Sequence, residues 1–153
     1  MGDFLAIEVK GLAELKRRLA LMPEAIQKKV SKGMVASAAA VFQREAVARA
    51  PVYPGQVGKN HPPPGTLKSA IYQFRWSQQS GGTREAWLVT VRRGRTAKGS
   101  IDAYYAHIVE YGSVKMSARP FMRPAFEVKK QEATEAMRKY LADHLPEAVE
   151  SAK

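Results

Sequence analysis

Hydrophobic positions recur along this chain with two different periods, and each change of period marks a boundary between elements. Phe4-Leu5-Ala6-Ile7-Glu8-Val9-Lys10 is a short apolar and branched run closed by Gly11, which reads as a strand feeding a turn. In the segment from Leu12 to Met22, Leu12, Leu15, Leu19 and Met22 recur at spacings of three and four, predicting a short helix with Lys16, Arg17 and Arg18 outside. Pro23 interrupts that pattern. Proline is tolerated in a first helical turn but not in a helix interior, so a second helix is expected from Glu24 to Ala50, stopped by Pro51. Its stripe is Ile26, Val30, Met34, Ala38 and Val41, and the run Ala36-Ser37-Ala38-Ala39-Ala40 would let another element approach its axis closely.

The segment from Pro51 to Gly65 holds Pro54, Gly55, Gly58 and Pro62-Pro63-Pro64, a composition that suits an exposed extended loop. Thr66 can cap a brief helical turn, Leu67 to Ile71, before Tyr72-Gln73-Phe74-Arg75-Trp76 alternates as a half-buried strand does. Gly81-Gly82 supplies a turn, and Ala86-Trp87-Leu88-Val89-Thr90-Val91 returns as the antiparallel partner. Arg92 to Gly99 has no apolar anchor and is expected to be a mobile surface loop. Asp102 can cap a short helix, Ala103 to Tyr111, that Gly112 ends. Arg119-Pro120-Phe121-Met122-Arg123-Pro124 should be largely extended because residues before proline avoid the helical region, with a last helix starting near Pro124. Phe126, Lys130, Ala133, Met137, Tyr140 and Leu141 form its stripe. Neither an internal repeat nor a domain-sized break is visible. The order of elements predicts one α+β domain over residues 1–153, with a small antiparallel sheet of three or four strands packed against two long helices, and flexible loops at 52–64 and 92–101.

Composition narrows the function classes. With 153 residues, 45% of them hydrophobic and 25% charged, the chain can bury an ordinary core. The absence of cysteine excludes disulfides, cysteine-based zinc sites and a thiol nucleophile. No apolar run reaches the roughly 18 residues of a membrane span, and the first residues lack the pattern of a secretion signal, so a soluble protein made inside the cell is expected. The net charge of +11 is uneven: eight Lys and Arg face two acids between Lys16 and Arg49, and eight face Glu85 alone between Pro51 and Ile101, whereas the segment from Ala125 onward is nearly balanced. Such a field suits contact with DNA phosphates, pairing with acidic partner subunits, or a plain solvated surface.

Catalytic signals are scarce. His61, His107 and His144 are scattered, and His107 with Glu110 is the one weak pair at ligand spacing, where a metal site needs three or four convergent groups. No nucleophile elbow, paired carboxylates or phosphate-binding glycine loop occurs, since Gly94 to Gly99 lacks the strand-to-helix context of one. Neither an enzyme nor a bound cofactor is expected. Tyr72, Phe74, Trp76 and Trp87 suggest either a stacking platform for single strands or the core side of a hairpin.

Tyr105-Ala106-His107-Ile108-Val109-Glu110-Tyr111-Gly112, followed by Arg119-Pro120-Phe121-Met122-Arg123-Pro124-Ala125, carries a resemblance. The chain resembles the tail-completion, or head-tail joining, proteins of long-tailed bacteriophages: the gene-product-ten family of HK-type lambdoid phages, with lambda minor tail protein Z as a functional analogue. Further elements of that pattern fall at Gly11 and Leu15, at Ala50-Pro51 and at Gly65-Thr66-Leu67-Lys68-Ser69-Ala70-Ile71, so the likeness spans nearly the whole chain. It departs in the long proline-rich segment from Pro51 to Gly65 and in Tyr111, where the family often has phenylalanine. The resemblance implies a non-catalytic virion protein of the neck or upper tail. It would be made in the host cytoplasm and act as a homo-oligomeric ring or collar-bound subunit, with connector or head-closure, tail terminator and tail-tube proteins as partners.

Glu110 lies at the C-terminal end of its expected helix, where the dipole disfavours negative charge, so a cationic or N–H partner is expected, with Arg119 and Arg123 at hand. Two uses of Tyr105, Glu110, Tyr111, Gly112, Arg119, Phe121 and Arg123 follow: a structural clasp between the two boxes, or a subunit interface built on Tyr105, Tyr111 and Phe121. Lys59, Arg92, Arg93, Arg95 and Lys98 are the candidates for contact with a partner or with nearby DNA. The rival function is a small basic nucleic-acid-binding protein or an RNA-cleaving toxin.

Overall fold

The computed structural model describes residues 24–52, 62–81, 84–94 and 103–150, without the side chains at 25, 26 and 147–150. Helix α1 spans Glu24–Arg49, within one residue of the expected end. It starts with Glu24 and ends with Arg49, each sign placed against the opposite end of the helix dipole. Val30, Met34, Ala38 and Val41 of the expected stripe are all buried. Ala50 still donates its N–H to the Ala46 carbonyl at 2.9 Å before Pro51 ends the helix.

Helix α2 (Thr66–Ala70) leads directly into strand β1 (Ile71–Arg75), and a 3-10 turn at Ser77–Gln79 precedes strand β2 (Trp87–Val91). The strands pair antiparallel with Ile71 opposite Val91, Gln73 opposite Val89 and Arg75 opposite Trp87. The tip is fastened by side chains. Arg75 binds Glu85 through Nε at 2.6 Å and a second nitrogen at 2.9 Å, while Ser80 Oγ accepts the Ala86 N–H at 3.0 Å. Helix α3 (Ala106–Tyr111) and helix α4 (Met122–Glu150) complete the order.

Among the described residues the sheet has two strands, fewer than the three or four expected. The remaining candidate strand, residues 4–10, and the short helix predicted at 12–22 lie outside the described residues. Most of the two loops expected to be flexible lies outside them too. The layering also differs from two helices side by side on a sheet. Helix α1 lies on both strands, and α4 packs along α1. Ala38, Val41 and Ala133 form the seam, extended by Phe42, Ala136 and Met137, and Phe42 stacks on Phe126 with ring centroids 4.7 Å apart. Gly33 leaves room for the end of the Tyr140 ring, which occupies the place a Cβ would take.

Three local expectations are corrected. Gly65, with φ 84°, is the N-cap of α2, and Thr66 instead donates its hydroxyl to the Pro63 carbonyl at 2.6 Å. Helix α3 starts at Ala106 rather than Ala103, because a turn closed by Ala106 N–H to the Ala103 carbonyl comes first; Asp102 lies outside the described residues. Helix α4 begins at Met122, so Arg123 is helical although Pro124 follows. Pro124 sits in the first turn, where its missing N–H leaves no hydrogen bond unmade.

Candidate functional site

The end of α1, helix α2, the root of β1, helix α3 and the first turn of α4 converge on one core. It holds Ala46, Leu67, Ala70, Ile71, Ala106, Val109 and Ala125 around Phe121, which is 1% exposed. The small side chains let five elements meet within one shell, and Phe121 supplies the bulk.

Glu110 projects from α3 into this junction and is 5% exposed. One carboxylate oxygen accepts the N–H groups of Phe121 at 2.7 Å and Met122 at 3.0 Å. The other accepts the Arg123 N–H at 3.1 Å and Arg123 Nε at 3.3 Å. The Glu110 main-chain carbonyl also receives an Arg123 guanidinium nitrogen at 3.5 Å. A side chain eleven to thirteen residues upstream thus satisfies N–H groups that the start of α4 leaves unpaired, and it brings a negative charge to the positive end of the helix. Burial pushes the Glu110 carboxyl up, but the amides of Met122, Phe121 and Arg123 and the Arg123 side chain overcome it and hold the group below the ordinary carboxylate range.

The chain between the two halves is equally specified. Gly112 ends α3 with φ 81°, and a Cβ there would come 2.9 Å from the Ala118 nitrogen. Ser113 and Met116 exchange hydrogen bonds of 2.8 and 3.2 Å across a tight turn, and Arg119 donates its N–H to the Val109 carbonyl at 2.8 Å. Arg119 therefore contributes through its backbone, whereas Arg123 contributes through side chain and backbone together. Tyr111 remains 68% exposed beneath the Arg123 guanidinium, 4.9 Å from its ring centre. Tyr105 is half-buried, and burial first, then Tyr104, raises its hydroxyl pKa against a lowering hydrogen bond with the Leu67 backbone. Tyr104 and Tyr105 also line an apolar cavity of about 270 Å³ with Pro51, Val52, Pro63 and Met116.

His107 is exposed, and its Nδ1 lies 2.8 Å from the Tyr104 carbonyl, while both Glu110 carboxylate oxygens are already occupied by the amides of residues 121–123 and the Arg123 side chain. Among the described residues no group of three potential metal ligands is present, and no helix is long and apolar enough to cross a membrane.

Of the candidate partner or DNA contacts, Arg92 and Arg93 are described, while Lys59, Arg95 and Lys98 lie outside the described residues. Arg92 sits over the Tyr72 ring at 4.9 Å, and Arg93 is exposed. The hairpin aromatics divide: Tyr72 and Phe74 stack on one face at 5.6 Å, whereas Trp87 donates from its indole to Glu85 at 3.2 Å. A cationic groove was not foreseen from the sequence. Lys28, Lys29 and Lys32 of α1 line it together with Arg84 at the hairpin tip, where the Arg75–Glu85 pair supplies the acid. The lysine spacing on one helix was visible, but the pairing of that helix face with the tip is a tertiary fact.

No family model, curated protein or solved structure matches this chain.

Proposed function

We propose that this chain is a structural virion protein of a long-tailed bacteriophage, completing the tail or joining it to the head at the neck by binding other subunits. The observation that carries the reading is the use of Glu110: the two boxes of the resemblance form one unit, in which an acid from the first seats the helix opened by the second. That unit leaves Tyr104, Tyr111, Val114 and Met116 exposed on its outer side, with Val114 fully so. Apolar groups of this kind, held on a rigid support, suit contact with neighbouring copies in a ring or with the connector, terminator and tail-tube proteins. The mechanism is binding without turnover, and no cofactor is required.

The second reading, a nucleic-acid-binding protein, is favoured by the groove of Lys28, Lys29, Lys32 and Arg84. A salt titration of binding to random duplex DNA separates the two. The assembly reading expects weak or no binding at physiological ionic strength, while tight binding with a steep inverse dependence on salt would favour the rival. Attachment of tails to filled heads, scored in particles built without this chain, tests the assembly reading itself.

A further inference from the structure

The groove at the hairpin tip, of about 390 Å³, is walled by Lys28, Lys29 and Lys32 of α1 and by Arg75, Arg84 and Glu85 of the hairpin. Its acid is already engaged. Glu85 is largely buried, and its Oε1 receives Arg75 Nε at 2.6 Å and the Trp87 indole at 3.2 Å, while Oε2 receives a second Arg75 nitrogen at 2.9 Å. Lys32 acts on Glu85 only as a more distant charge, the smallest of the influences that hold that carboxyl low. Lys28 pairs with Glu24 at 2.6 Å, one turn earlier on α1. Lys29, Lys32 and Arg84 are exposed and form no ion pair among the described residues.

Such a concentration of charge is unfavourable for the free chain. Lys28 and Lys32 are four residues apart on α1 and Lys29 and Lys32 three apart, spacings at which like charges on a helix repel. Arg84 is held against them by a clamped tip, where Gly81 and Arg84 exchange backbone hydrogen bonds of 2.9 and 3.0 Å and Ser80 Oγ donates to the Trp76 carbonyl at 2.8 Å. On α4 the lysines are matched: Lys129 pairs with Glu132 and Lys130 with Glu127. Cations gathered from two elements and left without acids attract an anion from outside, whose binding relieves their repulsion.

We infer that, within the assembly reading on which this rests, the groove docks an acidic segment of a partner protein, its carboxylates set against Lys29, Lys32 and Arg84. The composition of the groove favours carboxylates over nucleic acid. Among the described residues no aromatic ring lines it, so the bases of a single strand find nothing to stack on. Its α1 wall presents lysines, point charges on flexible stems that follow the carboxylates of a mobile segment, whereas phosphate recognition favours the bidentate arginine fork. Of the two arginines present, Arg75 already spends its fork on Glu85. Attraction of this kind speeds encounter and selects an acidic partner, and it weakens with salt.

The test titrates the full chain with a peptide of alternating Glu and Ser and follows amide chemical shifts. Lys29, Lys32 and Arg84 should move most, and added salt should reverse the change. Lys29→Glu combined with Lys32→Glu should weaken binding about tenfold, whereas Lys115→Glu with Lys139→Glu, an equal change of net charge at exposed positions elsewhere, should leave it within about twofold. Both double variants should keep the wild-type Tm, because all four side chains are exposed. No binding, shifts centred on other residues, equal weakening by the two variants, or tighter binding of a random DNA duplex at the same lysines would overturn the inference. Particles assembled with the Lys29→Glu, Lys32→Glu chain separate it from the reading beneath it. Unjoined tails are expected. Joined, infectious particles would overturn the acidic docking surface and leave the assembly role to be decided by particles made without the chain.

Discussion

A carboxylate taken out of water with nothing to receive is driven toward protonation, and Glu110 avoids that fate through three amides and one guanidinium. Glu110→Gln keeps the size but loses the charge and one acceptor oxygen. The expected cost to the isolated monomer is about 2 kcal/mol, a fall in Tm of roughly 4–8 °C. An unchanged monomer Tm combined with lost assembly would instead assign Glu110 to an interface. Arg123→Ala should cost less than about 1 kcal/mol, because its side chain is 62% exposed and the Arg123 amide still caps. The pH dependence follows from the direction of the shift. The folded-state pKa of Glu110 is lowered, so its contribution is complete above the unfolded carboxyl pKa and is lost as pH falls through the folded value. Glu85, held low chiefly by Arg75, acts in the same sense. Thermal melts between pH 7 and pH 3 should therefore show a steeper acid loss in the wild type than in Glu110→Gln. Parallel curves would remove Glu110 from the account. Gly112→Ala meets both the left-handed backbone and the Ala118 nitrogen, and a loss of about 1–2 kcal/mol is expected by chemical denaturation.

At the scale of elements, the long helices and the hairpin were legible because burial of a face imposes its period on the sequence. The stripe from Val30 to Val41 is buried as its spacing required, and the strands pair within one residue of the expected runs, although Ile71 opens β1 instead of closing the helical turn and burial does not alternate along either strand. Helix starts were less legible. Thr66 and Asp102 are the residue types that cap locally, yet α2 starts from a left-handed Gly65 and α3 has no side-chain cap. The cap of α4 comes from another helix, so no neighbouring residue announces it. The sequence did point to Glu110 as needing an N–H or cationic partner. Which arginine would serve was a question of geometry, answered by Arg123 with its side chain and by Arg119 only with its amide. The seam between α1 and α4 depends on small residues at Ala38 and Ala133. Ala133→Leu should separate the helices and cost about 1–3 kcal/mol, while the exposed Glu135→Leu should change stability by less than about 0.5 kcal/mol. Equal effects at both positions would mean that the seam is loosely packed.

Among the described residues, the buried junction carries an exposed rim of Tyr104, Tyr111, Val114 and Met116, and a cationic groove lies at the hairpin tip. The +11 charge suits DNA phosphates, acidic partner subunits or a plain solvated surface, and the groove on α1 and the hairpin tip adds Lys28, Lys29, Lys32 and Arg84 to the cations that could serve any of them. The rim makes the assembly reading testable without disturbing the fold. Val114 is fully exposed, so Val114→Lys should leave Tm unchanged while reducing incorporation into particles; full incorporation would exclude this part of the rim from the contact. The most direct measurement is electron microscopy of particles assembled without this chain. The account predicts DNA-filled heads alongside separate tails, restored to joined particles when the chain is supplied. Normal, infectious particles in its absence would contradict it.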